Sequence, residues 1–82
     1  MRVAPERDPV LAERLTHLGQ QVRERRLALA LSQEALGDQA GLHRTYIGSV
    51  ERGERNVSLS NLYALSDVLR VSPCSLLLNN PS

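Results

Sequence analysis

The stretch from residue 41 to residue 56, GLHRTYIGSVERGERN, carries polar side chains of the types that contact nucleic acids. Residues at steps of three and four share one side of a helix, and here they are Arg44, Thr45, Gly48, Ser49 and Arg52. A solvated helix side usually carries alanine, glutamate or lysine, so the glycine and the serine indicate close approach to another surface. A DNA major groove admits one helix, where arginine pairs with guanine and a threonine methyl group contacts thymine. Composition alone leaves this interpretation and an ordinary exposed helix side equally open.

A short turn must position this helix against the one before it. Gly41 lies where the chain turns, and we expect it to adopt a positive φ there. Gly37, inside the preceding helix, lets the two backbones approach, although glycine costs about 1 kcal/mol of helix propensity relative to alanine. Apolar residues at helical steps fill the wedge between the two helices: Leu36, Ala40, Leu42, Ile47 and Val50. These positions form a helix-turn-helix pattern, with the second helix over about residues 32–40 and the third over about residues 43–52.

Capping residues divide the rest of the chain into further helices. Asp8 and Pro9 begin a first helix over roughly residues 9–30. Ser58 begins a fourth helix and Ser72 begins a fifth. The alternation of apolar and polar residues that is typical of strands is absent, so the sequence predicts an all-α bundle of about five short helices.

The helical pattern also sets the expected domain boundaries. We expect one domain over residues 9–79, a flexible N-terminal arm over residues 1–8 and a C-terminal tail over residues 80–82. Arg2 and Arg7 could place the arm in a DNA minor groove, although charged termini are usually disordered.

Charge and composition narrow the function classes. Ten arginines and no lysine against nine acidic residues leave a net charge of +1, so any nucleic-acid contact must come from placement and not from bulk charge. No apolar run approaches the roughly 20 residues that span a bilayer, and we expect a cytoplasmic protein without a membrane partner. Cys74 is the only cysteine, and His17 and His43 are isolated, so no metal site is expected. Carboxylates are scattered, and the sequence predicts neither enzymatic activity nor a cofactor.

Residues 32–55, SQEALGDQAGLHRTYIGSVERGER, resemble the phage repressor and Cro family of helix-turn-helix proteins, also called Xre-type. The resemblance extends from about Gly19 to Leu77. Within the family, the sequence is similar to the controller proteins of restriction-modification systems. It implies an all-α, five-helix, lambda-repressor-like DNA-binding domain and a sequence-specific transcription regulator that acts as a homodimer on a pseudo-palindromic operator. The implied partners are double-stranded DNA and a second copy of the chain, with RNA polymerase as a further candidate.

Positions of this chain that match the family motif have implied roles. Base-reading or adjacent positions on the recognition helix are implied for Arg44, Thr45, Tyr46 and Ser49. The resemblance implies a phosphate contact for Gln33, and it implies that Arg55 and Asn56 approach the DNA backbone or the centre of the site. Ser32 and Arg52 are further candidates for phosphate contacts. Gln33 also lies at a helix N-terminus, whose free amides favour phosphate. Tyr46 borders both sides of its helix, so it could be a half-buried core residue or a DNA contact. Arg26 and Glu51 match a partly buried ion pair of the family, and Ala30 departs from it, because glycine is common there.

The C-terminal helices carry more apolar residues than one side of two short helices needs. The surplus predicts a symmetric dimer seam formed by Leu62, Tyr63, Leu65, Val68, Leu76 and Leu77. Two recognition helices related by a two-fold axis would read half-sites about 34 Å apart. Two other hypotheses remain: an antitoxin or other protein-binding module whose leucines cover a foreign surface, and a generic phage or plasmid repressor.

Overall fold

Each helix of the protein begins at a polar residue whose side chain accepts a hydrogen bond from a backbone N–H of the first turn. These capping residues are Asp8, Ser32, His43, Ser58 and Ser72. Such caps satisfy amides that have no partner inside the helix, and each contributes about 1 kcal/mol to helix stability. Cap positions therefore fix where the helices start, and they agree with the starts predicted from the sequence.

The structure is a computed structural model that describes residues 8–78. Its helices are α1 (Pro9–Ala28), α2 (Gln33–Ala40), α3 (Arg44–Glu51), α4 (Leu59–Leu69) and α5 (Pro73–Leu77). No strand occurs within this range. The predicted all-α architecture is confirmed. The N-terminal arm before Asp8 and the tail over residues 80–82 lie outside the described residues.

A single apolar core holds the five helices together. It consists of Leu18, Val22, Leu36, Ile47, Val50, Leu62, Leu65, Leu69 and Leu76, with Ala40 and Leu42 packed against its edge. Helix α3 packs on α1 and α2, α2 packs on α4, and α5 packs on α1 and α4. Because the wedge between α2 and α3 is part of this core, the position of α3 is set by packing on several sides.

The turn between α2 and α3 depends on two glycines, as the sequence predicts. Gly41 ends α2 with φ of 73°, in the left-handed region that glycine adopts without strain. Its amide and that of Leu42 both donate to the Gly37 carbonyl. A Cβ on Gly37 would overlap the Leu42 carbonyl oxygen. The tight turn therefore requires a small residue at position 37.

The end of α1 differs from the prediction. The helix ends at Ala28 and not near residue 30, because Ala30 adopts φ of 58°. A left-handed conformation costs a residue with a Cβ about 1–2 kcal/mol. That cost gives a physical reason for glycine to be common at this position in the family.

None of the helices in the described range is both long enough and apolar enough to cross a membrane.

Candidate nucleic-acid interface

Helix α3 exposes its N-terminal residues and buries the side that faces the core. His43, Arg44 and Thr45 are all exposed, whereas Ile47 and Val50 lie in the core. His43 caps the helix, because its Nδ1 accepts the Thr45 amide at 3.0 Å. The packing of one side and the cap together present Arg44 and Thr45 to the surroundings on a fixed backbone.

Arg44 has an exposed acidic neighbour on α2. Its Nη1 lies 3.2 Å from Glu34 Oε2, and the two side chains are 66% and 64% exposed. An ion pair this exposed is worth little, about 0–1 kcal/mol, so the guanidinium group can exchange Glu34 for another acceptor.

The C-terminal end of α3 is fixed by the ion pair that the resemblance implies. Arg26 Nε donates to Glu51 Oε2 at 2.6 Å, and Arg26 Nη2 donates to Glu51 Oε1 at 3.0 Å. The two side chains are only 8% and 3% exposed. Arg26 Nη1 also donates to the Leu31 carbonyl at 2.9 Å. The pair therefore joins α1, the loop before α2, and α3.

The Glu51 carboxylate also organises the start of α2. Gln33, the first residue of α2, donates its side-chain amide to Glu51 Oε1 at 3.1 Å. The hydrogen bonds to Glu51 raise the pKa of Arg26 above its ordinary value, so the guanidinium group stays charged wherever the protein is folded. The side-chain amide of Gln33 has two hydrogens and uses one of them on Glu51. Gln33 can therefore still donate to an anion beside the N-terminus of α2.

Ser49 and Gly48 differ from the predicted exposed stripe. Ser49 is only 6% exposed, and its hydroxyl donates to the Tyr46 carbonyl at 2.7 Å and accepts from Arg55 Nε at 3.1 Å. Ser49 therefore does not lie on the exposed side of α3, because its hydroxyl is covered and its hydrogen is already used. Gly48 is buried where a Cβ would lie 3.2 Å from Arg52 Nη1 and 3.5 Å from Gln33 Oε1.

Tyr46 lies at the border of the two sides of α3, as its position suggested. It is half-buried and packs against the core. Its hydroxyl accepts a hydrogen bond from Asn61 Nδ2 of α4 at 3.0 Å. The guanidinium carbon of Arg55 lies 5.6 Å from the centre of its ring. Tyr46 thus connects α3 to α4 and to the chain that follows α3.

The remaining polar residues assigned from the sequence lie at the end of α3, in the loop after it and at the start of α2. Arg52 ends the helix and pairs with Glu54 at 3.1 Å, with both side chains more than half exposed. The Ser32 hydroxyl caps α2 by accepting the Ala35 amide at 2.9 Å. Arg55 and Asn56 are exposed in the loop after α3. Arginine side chains and the N-terminus of α2 thus lie beside the C-terminal end of α3, an arrangement that suits an anionic polymer.

Comparison with known proteins now decides the family. The sequence matches the helix-turn-helix family over residues 22–76. The chain belongs to this helix-turn-helix family. It is 55% identical over 60 residues to the control protein C.SmaI of Serratia marcescens, and these residues make up 73% of this chain and 71% of that protein. It is 52% identical over 60 residues to the control protein C.BamHI of Bacillus amyloliquefaciens, with 72% of this chain and 74% of that protein covered.

Solved structures agree with this helix-turn-helix assignment. The crystal structure of the restriction-modification controller protein C.AhdI from Aeromonas hydrophila superimposes with a TM-score of 0.74 at 50% identity, covering 76% of this chain and 94% of that one. The P22 c2 repressor in complex with a synthetic operator gives a TM-score of 0.73 at 38% identity, covering 77% of this chain and 96% of that one. The lambda-repressor-like fold predicted from the sequence is therefore confirmed.

The residues predicted to form a dimer seam divide into two groups in this helix-turn-helix protein. Leu62, Leu65 and Leu76 are core residues that face the protein's own helices and do not form an exposed seam. Tyr63 and Leu77 are more than half exposed, and Val68 packs at the edge of the core. Of the six predicted residues, Tyr63 and Leu77 are the ones exposed to a contact between chains.

Sequence reasoning missed two kinds of residue. Leu59 and Leu78 are more than half exposed, as Tyr63 and Leu77 are, and they were not assigned to the interface. The spacing of Leu59 and Tyr63, one turn apart on α4, is the signal that could have identified Leu59. Gly19 was also missed: a Cβ there would overlap the carbonyl groups of Val50 and Glu51, so α1 crosses the end of α3 at backbone contact.

Proposed function

We propose that the protein is a transcription regulator that binds double-stranded DNA as a homodimer, with α3 of each protomer in the major groove, and that it controls a restriction-modification system. The observation that carries this proposal is the exposed pair Arg44 and Thr45 at the N-terminal end of a helix whose other side is buried. Residues at this end of a recognition helix reach base edges, where arginine recognises guanine and the threonine methyl group contacts thymine.

Phosphate contacts have candidates at the start of α2, at the end of α3 and in the loop after α3. Gln33 and Ser32 lie at the N-terminus of α2, where free amides and the helix dipole favour an anion. Arg52, Arg55 and Asn56 lie at the C-terminal end of α3 and in the loop after it, and they are exposed. Phosphate contacts from these residues would fix the orientation of α3 without carrying sequence information.

The dimer is proposed to form through the exposed apolar surface of α4 and α5. We call Leu59, Tyr63, Leu77 and Leu78 the apolar surface; each is more than half exposed. These four exposed large apolar side chains favour a second copy of the chain as their cover. The two recognition helices would then read half-sites about 34 Å apart on one side of a pseudo-palindrome.

The likeness to the C.SmaI and C.BamHI control proteins and to C.AhdI supports the assignment to restriction-modification control. RNA polymerase stays a predicted partner. Whether bound protein raises or lowers transcription depends on where the operator lies relative to a promoter, and transcription in vitro from promoters with the operator at different distances would measure it.

Selection of duplexes from a randomised pool tests the DNA-binding part of the proposal. The expected result is enrichment of one pseudo-palindromic sequence whose half-sites are separated by about one helical turn. Recovery of sequences without a common motif, or without symmetry, would contradict it.

Light scattering tests the dimer and separates a regulator from a protein-binding module. We expect a mass of two chains for the wild type and for Leu27→Ser, and a shift towards one chain for Leu77→Ser. Leu27 and Leu77 are 54% and 55% exposed, so the two substitutions remove similar exposed apolar groups. A wild-type monomer, or equal effects of the two substitutions, would remove the apolar surface from the proposed interface.

A further inference from the structure

Arg55 lies in the loop beyond α3, and its guanidinium group is held by the protein in the absence of DNA. Its Nε donates to Ser49 Oγ at 3.1 Å, and its guanidinium carbon lies 5.6 Å from the centre of the Tyr46 ring. Tyr46 is itself held from α4, because its hydroxyl accepts from Asn61 Nδ2 at 3.0 Å. We call Tyr46, Ser49 and Asn61 the Arg55 cradle.

The hydroxyl of Ser49 is arranged to receive Arg55. Its hydrogen points to the Tyr46 carbonyl oxygen at 2.7 Å, which leaves a lone pair for Arg55 Nε. The side chain is buried, so water competes poorly for that lone pair. The contact of the Ser49 hydroxyl is therefore with an arginine of the neighbouring loop.

The bond to Ser49 leaves the terminal nitrogens of Arg55 for another acceptor. Arg55 is exposed, and the planar guanidinium group can give two parallel hydrogen bonds to a phosphate group. A long side chain that must be ordered on binding weakens affinity by about 3- to 10-fold. Holding Nε and the plane of the group in advance removes much of that loss.

We propose that Tyr46, Ser49 and Asn61 are positioning residues that orient Arg55 towards a DNA phosphate before DNA is bound. The inference rests on the proposed function, because the phosphate belongs to the operator. It reassigns Ser49 from contact with bases to support of Arg55. It also gives Asn61 of α4 a role in DNA affinity without contact with DNA.

The test compares Ser49→Ala with Ser66→Ala. Ser66 is a matched control, because it is also a buried helix serine whose hydroxyl donates to the carbonyl three residues earlier, that of Tyr63, at 3.0 Å. Nitrogen-15 NMR of the free protein should show a slowly exchanging Arg55 Nε–H signal in the wild type and Ser66→Ala. The signal should exchange rapidly with water in Ser49→Ala.

DNA binding is measured by fluorescence anisotropy with the duplex that the wild type enriches from a randomised pool. Ser49→Ala should bind about 3- to 10-fold more weakly per half-site than Ser66→Ala, and Asn61→Ala should bind more weakly to a smaller extent. In an Arg55→Ala background, Ser49→Ala should cause no further loss. Arg55→Lys keeps the charge but lacks Nε–H and the planar group, so it should resemble Ser49→Ala while retaining the salt dependence of the wild type.

Failures of the inference and of the proposed function give different results. Equal binding by Ser49→Ala and Ser66→Ala, with normal wild-type binding, would overturn the cradle alone. Equal losses from Ser49→Ala with and without Arg55 would also overturn it. A wild type that binds no duplex would refute the proposed function and, with it, the role of the cradle in DNA binding.

Discussion

Two arginine–glutamate pairs join α3 to neighbouring helices, and they lie in opposite environments. Arg26 and Glu51 are bonded at 2.6 Å with side chains 8% and 3% exposed, whereas Arg44 and Glu34 are 3.2 Å apart and 66% and 64% exposed. The buried pair is at the C-terminal end of α3, and the exposed pair is at its N-terminal end. The buried ion pair therefore fixes the C-terminal end of α3, and the exposed pair leaves the Arg44 guanidinium group at the N-terminal end available to another acceptor.

The two pairs differ in how strongly they should affect stability, because water is excluded from the buried pair and screens the exposed one. A buried ion pair is strongly coupled to its surroundings, because removal of one partner leaves a desolvated charge. An exposed pair gains little energy and is screened by salt. We therefore expect substitutions in the buried pair to change stability, and substitutions in the exposed pair to change DNA binding with little change in stability.

The largest effect should come from Glu51→Ala. This change leaves the Arg26 guanidinium buried without its carboxylate and removes an acceptor of Gln33, so we expect the free energy of unfolding to fall by about 3–5 kcal/mol. Such a loss is comparable to the whole stability of a core this small, so the variant should be largely unfolded. Urea denaturation followed by circular dichroism measures the change.

Glu34→Ala is the matched control for Glu51→Ala, since it removes the same charge from the exposed pair. A loss of less than about 1 kcal/mol for Glu51→Ala, or equal losses for both variants, would mean that burial does not distinguish the two pairs.

Arg44→Ala should produce the next largest effect, on DNA and not on folding. We expect operator binding to weaken by about 1–3 kcal/mol, with relaxed preference at one base pair of each half-site. Gln33→Ala should instead weaken binding to all sequences alike, because phosphate contacts carry no sequence information. Titration of each variant with operator and random duplexes distinguishes base reading from phosphate contact. Equal losses of Arg44→Ala on both duplexes would show that Arg44 does not read a base.

The sequence predicted the elements that depend on local geometry. Caps at Asp8 and Ser58 fixed helix starts, and Gly41 marked the turn, because each acts through backbone groups a few residues away. The pair formed by Arg26 and Glu51 was implied by the family resemblance alone. Its partners lie far apart in the sequence, and no local pattern would have joined them.

The failures involve contacts between elements. Helical spacing placed Ser49 on the side of Arg44, but it could not show that the loop carrying Arg55 folds back over that position. In α4 and α5, apolar residues occur on more than one side, and composition did not reveal that Leu65 and Leu76 face the core. Gly19 was missed because a glycine at a helix crossing has no signature within its own helix.

A smaller effect should come from Ala30→Gly, which relieves strain beside the buried pair. Ala30 adopts φ of 58°, directly before Leu31, whose carbonyl accepts Arg26 Nη1 at 2.9 Å. We expect an increase in the free energy of unfolding of about 0.5–1 kcal/mol, because glycine adopts this conformation without a Cβ clash. Ala12→Gly inside α1 should change stability by a similar amount in the opposite direction. A decrease for Ala30→Gly in thermal or urea unfolding would contradict the strain.

The smallest effect on stability should come from Glu34→Ala, with a change of less than about 0.5 kcal/mol. Its effect on DNA binding has a definite sign, because the carboxylate both competes with DNA for Arg44 and repels phosphate. We expect binding to random duplex to tighten by about 2- to 3-fold at low salt, and the gain to disappear at high salt as the charges are screened. Asp67→Ala makes the same change in net charge from an exposed position on α4. Equal gains from the two substitutions would show that net charge, and not the release of Arg44, is responsible, and the exposed pair would then have no function of its own.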